Sequence, residues 1–174
     1  MNVNEKILKY RIRHAQPREV SFPDMSRVKN VLVLYESDIV EKNIQLKQLI
    51  KELKQNGLTV VSWGYVDKKA ASTAILLGSR VLAQQDLNIF GAPKKHLMQE
   101  ISQQQFDLLI DLTLQPVMPL QYVALKANAA FKVARQTYEK PYIHDLLLKI
   151  DNCQDAAQLF DQIMYYLNQI HSND

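Results

Sequence analysis

The chain of 174 residues has one cysteine, Cys153, so it cannot form an intrachain disulfide or, by itself, a thiolate metal cluster. No stretch approaches the ~18 continuous apolar residues that a membrane-spanning helix requires. The first residues carry scattered charges instead of the apolar run of a secretory signal. These absences predict a cytoplasmic protein without a membrane span.

Glycine and histidine are also scarce, with four of each, and their spacing excludes several site classes. P-loops and dinucleotide-binding turns need closely spaced glycines, which let backbone N–H groups approach phosphate. The nucleophile elbow G-x-S-x-G is absent, and no H-x-x-x-H pair is present to bind zinc. No cofactor is therefore evident from motifs. The four glycines are Gly57, Gly64, Gly78 and Gly91.

What the sequence does contain is a globular composition, with 47% hydrophobic and 22% charged residues. The net charge of +3 is unevenly distributed, because residues 1–29 hold seven basic and three acidic side chains. The remaining residues have a net charge of −1, one acid more than their bases. This division predicts a basic N-terminal arm (1–29) and a single α/β domain (30–174).

Hydrophobic periodicity predicts a strand, a helix and a second strand within residues 31–66. The run VLVLY (31–35) is typical of a strand buried on both faces, and LTVVSWGYV (58–66) is the second strand. Between them, apolar residues recur at the spacing of one helical face, and Gly57 is placed to end that helix. The residues of that face are Leu46, Leu49, Ile50 and Leu53.

The rest of the chain continues this alternation. We expect helices over 94–105 and 118–130, strands over 106–114, 131–135 and 142–150, and a final helix that Asn152 caps. Residues 67–93 fit short strands with turns as well as a helix followed by a strand. The alternation predicts a three-layer α/β sandwich with a mainly parallel sheet, Rossmann-like or flavodoxin-like.

Three carboxylates lie at the ends of predicted strands or directly after them, where ligands bind in open parallel sheets: Glu36, Asp38 and Asp111. Together they are candidate ligands for a divalent cation such as Mg²⁺. One of them is alternatively a general base for a small substrate. The structural alternative is that Asp111 accepts backbone hydrogen bonds and that the other two cap the following helix.

Aromatic and basic residues lie together in VVSWGYVDKK, a pattern that fits stacking on a base beside a bound phosphate. The alternative is two core-facing aromatics followed by solvated lysines. The candidate ligand-binding residues are Trp63, Tyr65, Lys68, Lys69 and, at the end of the 106–114 strand, Thr113.

The basic arm is a candidate surface for RNA or a protein partner, because clustered cations bind phosphate. Its candidate contacts are Lys6, Lys9, Arg11, Arg13 and Arg18. Alternatively the arm lies over the domain, anchored by Val20 and Phe22. Two tyrosines, Tyr165 and Tyr166, flank the apolar face of the last helix and make a homodimer conceivable.

Two segments resemble parts of known families. FDLLIDLTLQPVMP and EKPYIHDLLLKI resemble the phosphorylation and lysine segments of receiver domains, which would assign Asp111 and Lys140. The separation of Glu36 from Asp111 is longer than in the receiver pattern, and that of Asp111 from Lys140 is shorter. FDLLIDLTLQPVMPLQYVALKANAAFKVA (106–134) resembles the end of the N-terminal half of heptosyltransferase-like glycosyltransferases. Those enzymes need a second domain for the sugar nucleotide.

Most of residues 20–170 resembles an uncharacterised family of small bacterial proteins. The resemblance rests on VLVLYESD, VSWGYVDKK, DLNIFGAP, FDLLIDLT and PLQYVALKANA. It implies a single bacterial cytosolic α/β domain and brings no activity with it. The leading hypothesis is a non-enzymatic or accessory protein that binds a protein or RNA partner. The runner-up is a small metal-dependent enzyme or ligand-binding domain that uses Glu36, Asp38 and Asp111, with Mg²⁺ as a possible cofactor.

Overall fold

A computed structural model describes residues 3–14, 19–22, 24–37, 40–67, 79–137 and 143–169. Within these ranges six strands form one sheet in which every pairing is parallel. The order across the sheet is β3-β2-β1-β4-β5-β6, which is the order of Rossmann folds. The strands are β1 (Asn30–Glu36), β2 (Thr59–Tyr65), β3 (Ser79–Leu82), β4 (Gln105–Asp111), β5 (Asn128–Arg135) and β6 (Leu146–Leu148).

Helices cover both faces of the sheet, which explains why its central strands are apolar on both sides. On one face, α2 and α5 pack their leucines and isoleucines against alternate residues of β1 and β4. On the other, α3 and α4 pack against the residues in between, including Leu34 and Leu109. The three-layer prediction is confirmed. The helices are α1 (Val3–Arg13), α2 (Val40–Gln55), α3 (Lys95–Ser102), α4 (Met118–Lys126) and α5 (Ala156–Gln169).

The helix between the first two strands agrees with its pattern. All four residues of the predicted apolar face of α2 are buried. Gly57 follows the helix with φ of +86°, the left-handed geometry that glycine adopts without steric cost. The local periodicity and the tertiary packing therefore specify the same helix.

Several predicted boundaries are wrong. The strand predicted over 106–114 ends at Asp111, and the helix predicted over 94–105 ends at Ser102. The helix predicted over 118–130 ends at Lys126, and Asn128–Ala130 belong to β5 because their backbone pairs with the start of β4. The strand predicted over 142–150 is only Leu146–Leu148. The cap of α5 is Asp155, whose Oδ1 accepts from Gln158 N at 2.8 Å. Asn152 instead lies in a turn at φ 59°.

The ambiguous region is partly described. β3 and a short 3₁₀ turn at Gln84–Asp86 precede a hairpin closed by an antiparallel bridge between Leu87 and Pro93. Residues 68–78 lie outside the described ranges. No helix of the described residues has the length and apolar character to cross a membrane.

The N-terminal segment contacts both faces of the domain. On one side α1 packs on α4, where the Arg11 guanidinium lies 5.7 Å from the centre of the Tyr122 ring. On the other side Phe22 packs edge-on against Phe131 at 5.0 Å between ring centres. Phe22 is thus an anchor as expected, whereas Val20 is 50% exposed and is not.

Candidate ligand site at the switch point of the sheet

The strand order reverses between β1 and β4, and this defines a switch point. From β1 the chain runs through β2 to β3 at one edge, and then returns to β4 on the other side of β1. In open parallel sheets the loops on the two sides of a switch point diverge, and ligands bind in the crevice beyond the carboxyl ends of these strands. Glu36 is the last residue of β1, and Asp111 is the last residue of β4.

Glu36 bridges the two strands at this point. Its Oε1 accepts hydrogen bonds from Leu114 N and Gln115 N, both at 3.0 Å, in the loop after β4. The structural alternative was that Glu36 caps α2. Its carboxylate instead accepts hydrogen bonds from the loop after β4. It holds the loop after β4 beside the end of β1, and Oε2 takes no part in these two bonds.

Asp111 is the most buried carboxylate of the crevice, with 3% of its surface exposed. Its Oδ1 accepts from Thr113 N at 3.0 Å, which closes a tight turn at the end of β4. Its Oδ2 lies 3.1 Å from Nε2 of His144. The side chains of the two residues, hereafter the Asp–His pair, are 5% and 10% exposed.

His144 reaches Asp111 from the connection between β5 and β6. The next residue fixes the connection, because Asp145 N donates to Lys132 O and Asp145 Oδ2 accepts from Lys132 N, both at 2.7 Å. Ala134 is the register partner of Asp111 on β5, the strand that precedes this connection. Nε2 of His144 has no aligned hydrogen-bond partner among the described residues, although it lies 3.1 Å from Oδ2 of Asp111.

Sequence reasoning missed both His144 and the buried Lys132. The spacing of the histidines in the sequence bears only on zinc binding. The proximity of His144 to Asp111 depends on the pairing of β4 with β5, which no local pattern encodes. Lys132 is 3% exposed, and its Nζ donates to Ala124 O of α4 at 2.6 Å. The sequence marks these two residues only by their position within apolar runs, His144 in YIHDLLL and Lys132 in FKVAR.

The predicted ligand residues on β2 lie elsewhere. Trp63 is 1% exposed and packs in the core between the sheet and α3, with the Arg80 guanidinium 5.4 Å from its ring centre. Tyr65 is half-buried, and its hydroxyl donates to Asp67 Oδ1 at 3.2 Å. Thr113 is 9% exposed beside Asp111 and so belongs to the crevice. Lys68 and Lys69 lie outside the described residues.

The three-carboxylate metal site stays a prediction, because Asp38 lies outside the described residues. Glu36 and Asp111 do end neighbouring parallel strands, but each uses one oxygen for a main-chain N–H. Within the described part of the chain, no three His, Cys, Asp or Glu side chains are grouped to hold a metal ion.

The basic arm is described only in part. Lys6 and Arg11 are exposed on α1, and Arg11 also contacts Tyr122 of α4. The side chains of Lys9 and Arg13, and the whole of Arg18, lie outside the described residues, as does Lys140 of the receiver-like segment. Burial raises the pKa of Tyr122, and the nearby Arg11 charge partly offsets this.

A mainly apolar recess adjoins the switch point on the side of α2 and α5. Burial raises the pKa of Tyr35 in its wall, and the neighbouring Ser79 hydroxyl partly offsets the increase. The Ser79 hydroxyl lies near the Tyr35 hydroxyl, but the two are not aligned as a hydrogen bond. Most residues that line the recess are apolar, so it offers apolar contact area beside the Glu36 carboxylate. Its lining residues are Tyr35, Glu36, Leu46, Leu112, Leu114 and Ala156.

The parallel sheet, its strand order and the crevice at the switch point define a Rossmann-like α/β protein. Within that class, residues 2–170 match the model of a family of unknown function, DUF6913. The chain belongs to this family, which confirms the resemblance to an uncharacterised family. A search of curated proteins found no match.

Solved structures with similar folds include two glycosyltransferases. E. coli heptosyltransferase WaaC with ADP has 14% sequence identity and a TM-score of 0.48, and the match covers 82% of this chain and 48% of that one. A mutant (K341M) O-GlcNAc transferase of Thermobaculum terrenum has 13% identity and a TM-score of 0.40, with 81% and 28% covered. The chain thus spans about half of the first structure and less than a third of the second.

Proposed function

We propose that the protein is a ligand-binding domain that holds a small polar molecule in the switch-point crevice, with the Asp–His pair as its recognition group. The observation that carries the proposal is the burial of this pair at the carboxyl end of β4. Removing a carboxylate and an imidazole from water costs free energy. The pair joins loops that main-chain bonds already hold, so a role in binding explains its burial better than a role in folding.

The chemistry of the crevice favours a ligand that donates hydrogen bonds. Glu36 and Asp111 contribute carboxylates, Thr113 a hydroxyl, and His144 a ring nitrogen that can donate or accept. Two carboxylates repel anions, and the dispersed glycines provide no phosphate cradle. The ligand class is therefore an uncharged or cationic molecule with hydroxyl or amino groups, such as a sugar or a nucleoside.

The basic arm supports a second candidate, the accessory role in binding a protein or RNA partner. The exposure of Lys6 and Arg11 favours it. Because α1 packs on α4, deletion of residues 1–19 would also remove the contact of Arg11 with Tyr122. Charge reversal is the cleaner test, and Lys6→Glu should weaken salt-sensitive binding to a single-stranded RNA if the arm is the contact. Binding of the variant equal to that of the wild type would contradict the accessory role.

The ligand proposal is tested by amide NMR titration with a panel of neutral sugars, nucleosides and amines. Binding should shift the main-chain signals of Thr113, Leu114 and Gln115 together with the ring signals of His144. His144→Gln keeps a polar side chain and Asp111→Asn keeps an acceptor for Thr113 N. Both should bind the same compound roughly tenfold or more weakly, because each removes half of a buried polar contact.

Asp107→Asn is the matched control for Asp111→Asn. It alters a carboxylate on the same strand, but Asp107 lies at the opposite end, where Oδ2 accepts from Lys29 N and Asn30 N at 2.8 Å. The Asp107→Asn variant should bind the same compound with the affinity of the wild type. Shifts absent for the whole panel, or equal weakening in all three variants, would refute the proposal.

A further inference from the structure

The hairpin that Leu87 and Pro93 close presents two apolar side chains at its tip. Ile89 is 86% exposed, the highest value of any large hydrophobic residue that the structure describes, and Phe90 is 42% exposed. Isolated surface hydrophobics are ordinary, but two adjacent ones at the end of a projecting turn are typical of an interaction site.

The tip is held rigidly, so the exposure belongs to the fold. Asn88 organises it, because its Oδ1 accepts from Phe90 N at 2.8 Å and its main-chain O accepts from Gly91 N at 2.9 Å. Gly91 has φ of +74°, which an L side chain rarely adopts. Asn88 N also donates to Ala92 O at 2.8 Å. Two apolar side chains are thus fixed in an outward position.

Two lysines stand at the base of this hairpin. Lys94, Lys95 and His96 follow it directly and are exposed. Between residues 83 and 99 the only acid in the sequence is Asp86, whose Oδ2 already accepts from Ala83 N at 2.9 Å.

The first turn of α1 meets the hairpin and extends the patch. Asn4 lies 3.8 Å from the position that a side-chain carbon on Gly91 would take. On the same helix, Val3 is 67% exposed and Lys6 is exposed. Exposed apolar and cationic side chains are therefore combined on this part of the surface.

We propose that the tip, Ile89 and Phe90, inserts into the headgroup region of an anionic lipid surface, with Lys94 and Lys95 held by its negative potential. Charge complementarity favours an anionic lipid surface, since anionic leaflets attract clustered lysines and accept shallow apolar insertions. The tip is convex and contains only two apolar residues. A stable protein–protein interface needs about 800 Å² from each partner, much more than such a tip offers.

The test is co-sedimentation of the full chain with vesicles of phosphatidylcholine and phosphatidylserine, compared with phosphatidylcholine alone. The protein should bind the anionic vesicles, and added salt should weaken binding. Ile89→Ser should reduce the partition constant roughly tenfold, because an inserted isoleucine is lost. The double change Lys94→Glu and Lys95→Glu should reduce it by more than about 25-fold, since each basic residue contributes roughly fivefold.

Matched controls come from α2, on the other face of the sheet. Ile44→Ser alters an isoleucine that is 58% exposed, and Lys47→Glu with Lys51→Glu reverses two exposed lysines. Both control proteins should bind as the wild type does. An Ile89→Trp variant adds a direct readout, because brominated lipid should quench the new indole. Trp63 is 1% exposed and should not be quenched.

The proposal is overturned if the wild type fails to bind anionic vesicles or if Ile89→Ser binds them equally well. It is also overturned if the wild type, but not Ile89→Ser, forms dimers in solution without lipid. That result would assign the tip to a second copy of the chain. Specific capture of one protein by the tip, without vesicle binding, would assign it to a protein partner instead.

Discussion

The phenol ring of Tyr35 occupies the space that a side chain at Gly64 would need. The two residues are register partners on β1 and β2. A Cβ at position 64 would lie 2.6 Å from Cζ and 2.7 Å from Cε2 of the ring. Tyr35 is 1% exposed, so its ring is packed against the surrounding core and not turned to solvent. Glycine is required here by close packing, because Gly64 lacks a positive φ.

Gly64→Ala should therefore lower the free energy of unfolding by about 1–3 kcal/mol, the usual cost of overpacking a core. Urea denaturation followed by circular dichroism measures the change. In a Tyr35→Val background the added methyl group meets no ring, and the cost should largely disappear. An undiminished cost in the double variant would show that the Tyr35 ring is not the cause.

Tyr35 should also make the fold sensitive to alkali. Burial raises its folded pKa above the unfolded value of about 10. The resulting stabilisation is complete below the unfolded pKa and is lost as the pH rises through the folded pKa. Tyr35→Phe removes this group, so its stability should fall less than that of the wild type between neutral pH and about pH 11. Parallel stability curves for the two proteins would contradict the assignment.

The architecture could be predicted from the sequence because several strands and helices carry their own signals. VLVLY is apolar on both faces, and α2 combines a helical stripe with a terminating glycine. The end of α4 could not be predicted, since KANAA suits a helix and its strand state comes from pairing with β4. The choice of the Rossmann order also depends on long-range pairing, which periodicity does not encode.

The carboxylates of the candidate site could be proposed from the sequence, but its histidine could not. Glu36 and Asp111 were identified because carboxylates at strand ends are a local pattern. His144 was not, because it follows β5 in the chain and meets Asp111 of β4 only through the long-range pairing of these two strands. The burial of Trp63 likewise depends on α3, which approaches from another part of the chain.

Glu36 should control the order of the loop after β4. Glu36→Gln keeps an oxygen that can accept from Leu114 N and Gln115 N, whereas Glu36→Ala leaves both groups without this partner. Glu36→Ala should lose about 1–3 kcal/mol of stability. Hydrogen exchange at these two amides should accelerate in the alanine variant and change little in the glutamine variant. Similar exchange in both variants would rule out the bridging role.

Asp155 should be the residue that starts α5. Its Oδ1 accepts from Gln158 N at 2.8 Å, and the Gln158 side chain in return accepts from Gln154 N at 3.1 Å. Asp155→Ala should cost about 1 kcal/mol in thermal or urea unfolding, and Asp155→Asn much less. Asp161→Ala, an exposed carboxylate within the same helix, is the control and should stay within about 0.5 kcal/mol of the wild type.

Cys153 should react slowly as a nucleophile. Burial raises the pKa of its thiol, and the positive charge of Arg135 only partly offsets the increase. The thiol also approaches Asp155 O at 3.4 Å. Since the thiolate is the reactive form, alkylation of the folded protein by iodoacetamide near pH 8 should be slower than alkylation of the urea-unfolded chain.

The contribution of Arg135 can be separated from burial with two substitutions. Arg135→Gln removes the charge and should raise the thiol pKa further, so the pH at which alkylation reaches half its maximal rate should increase. Arg135→Lys keeps the charge and should leave that pH closer to the wild-type value. Measuring the full pH profile distinguishes a change in pKa from a change in access, because better access raises the rate at every pH. A profile that Arg135→Gln leaves unshifted would show that burial alone sets the reactivity of Cys153.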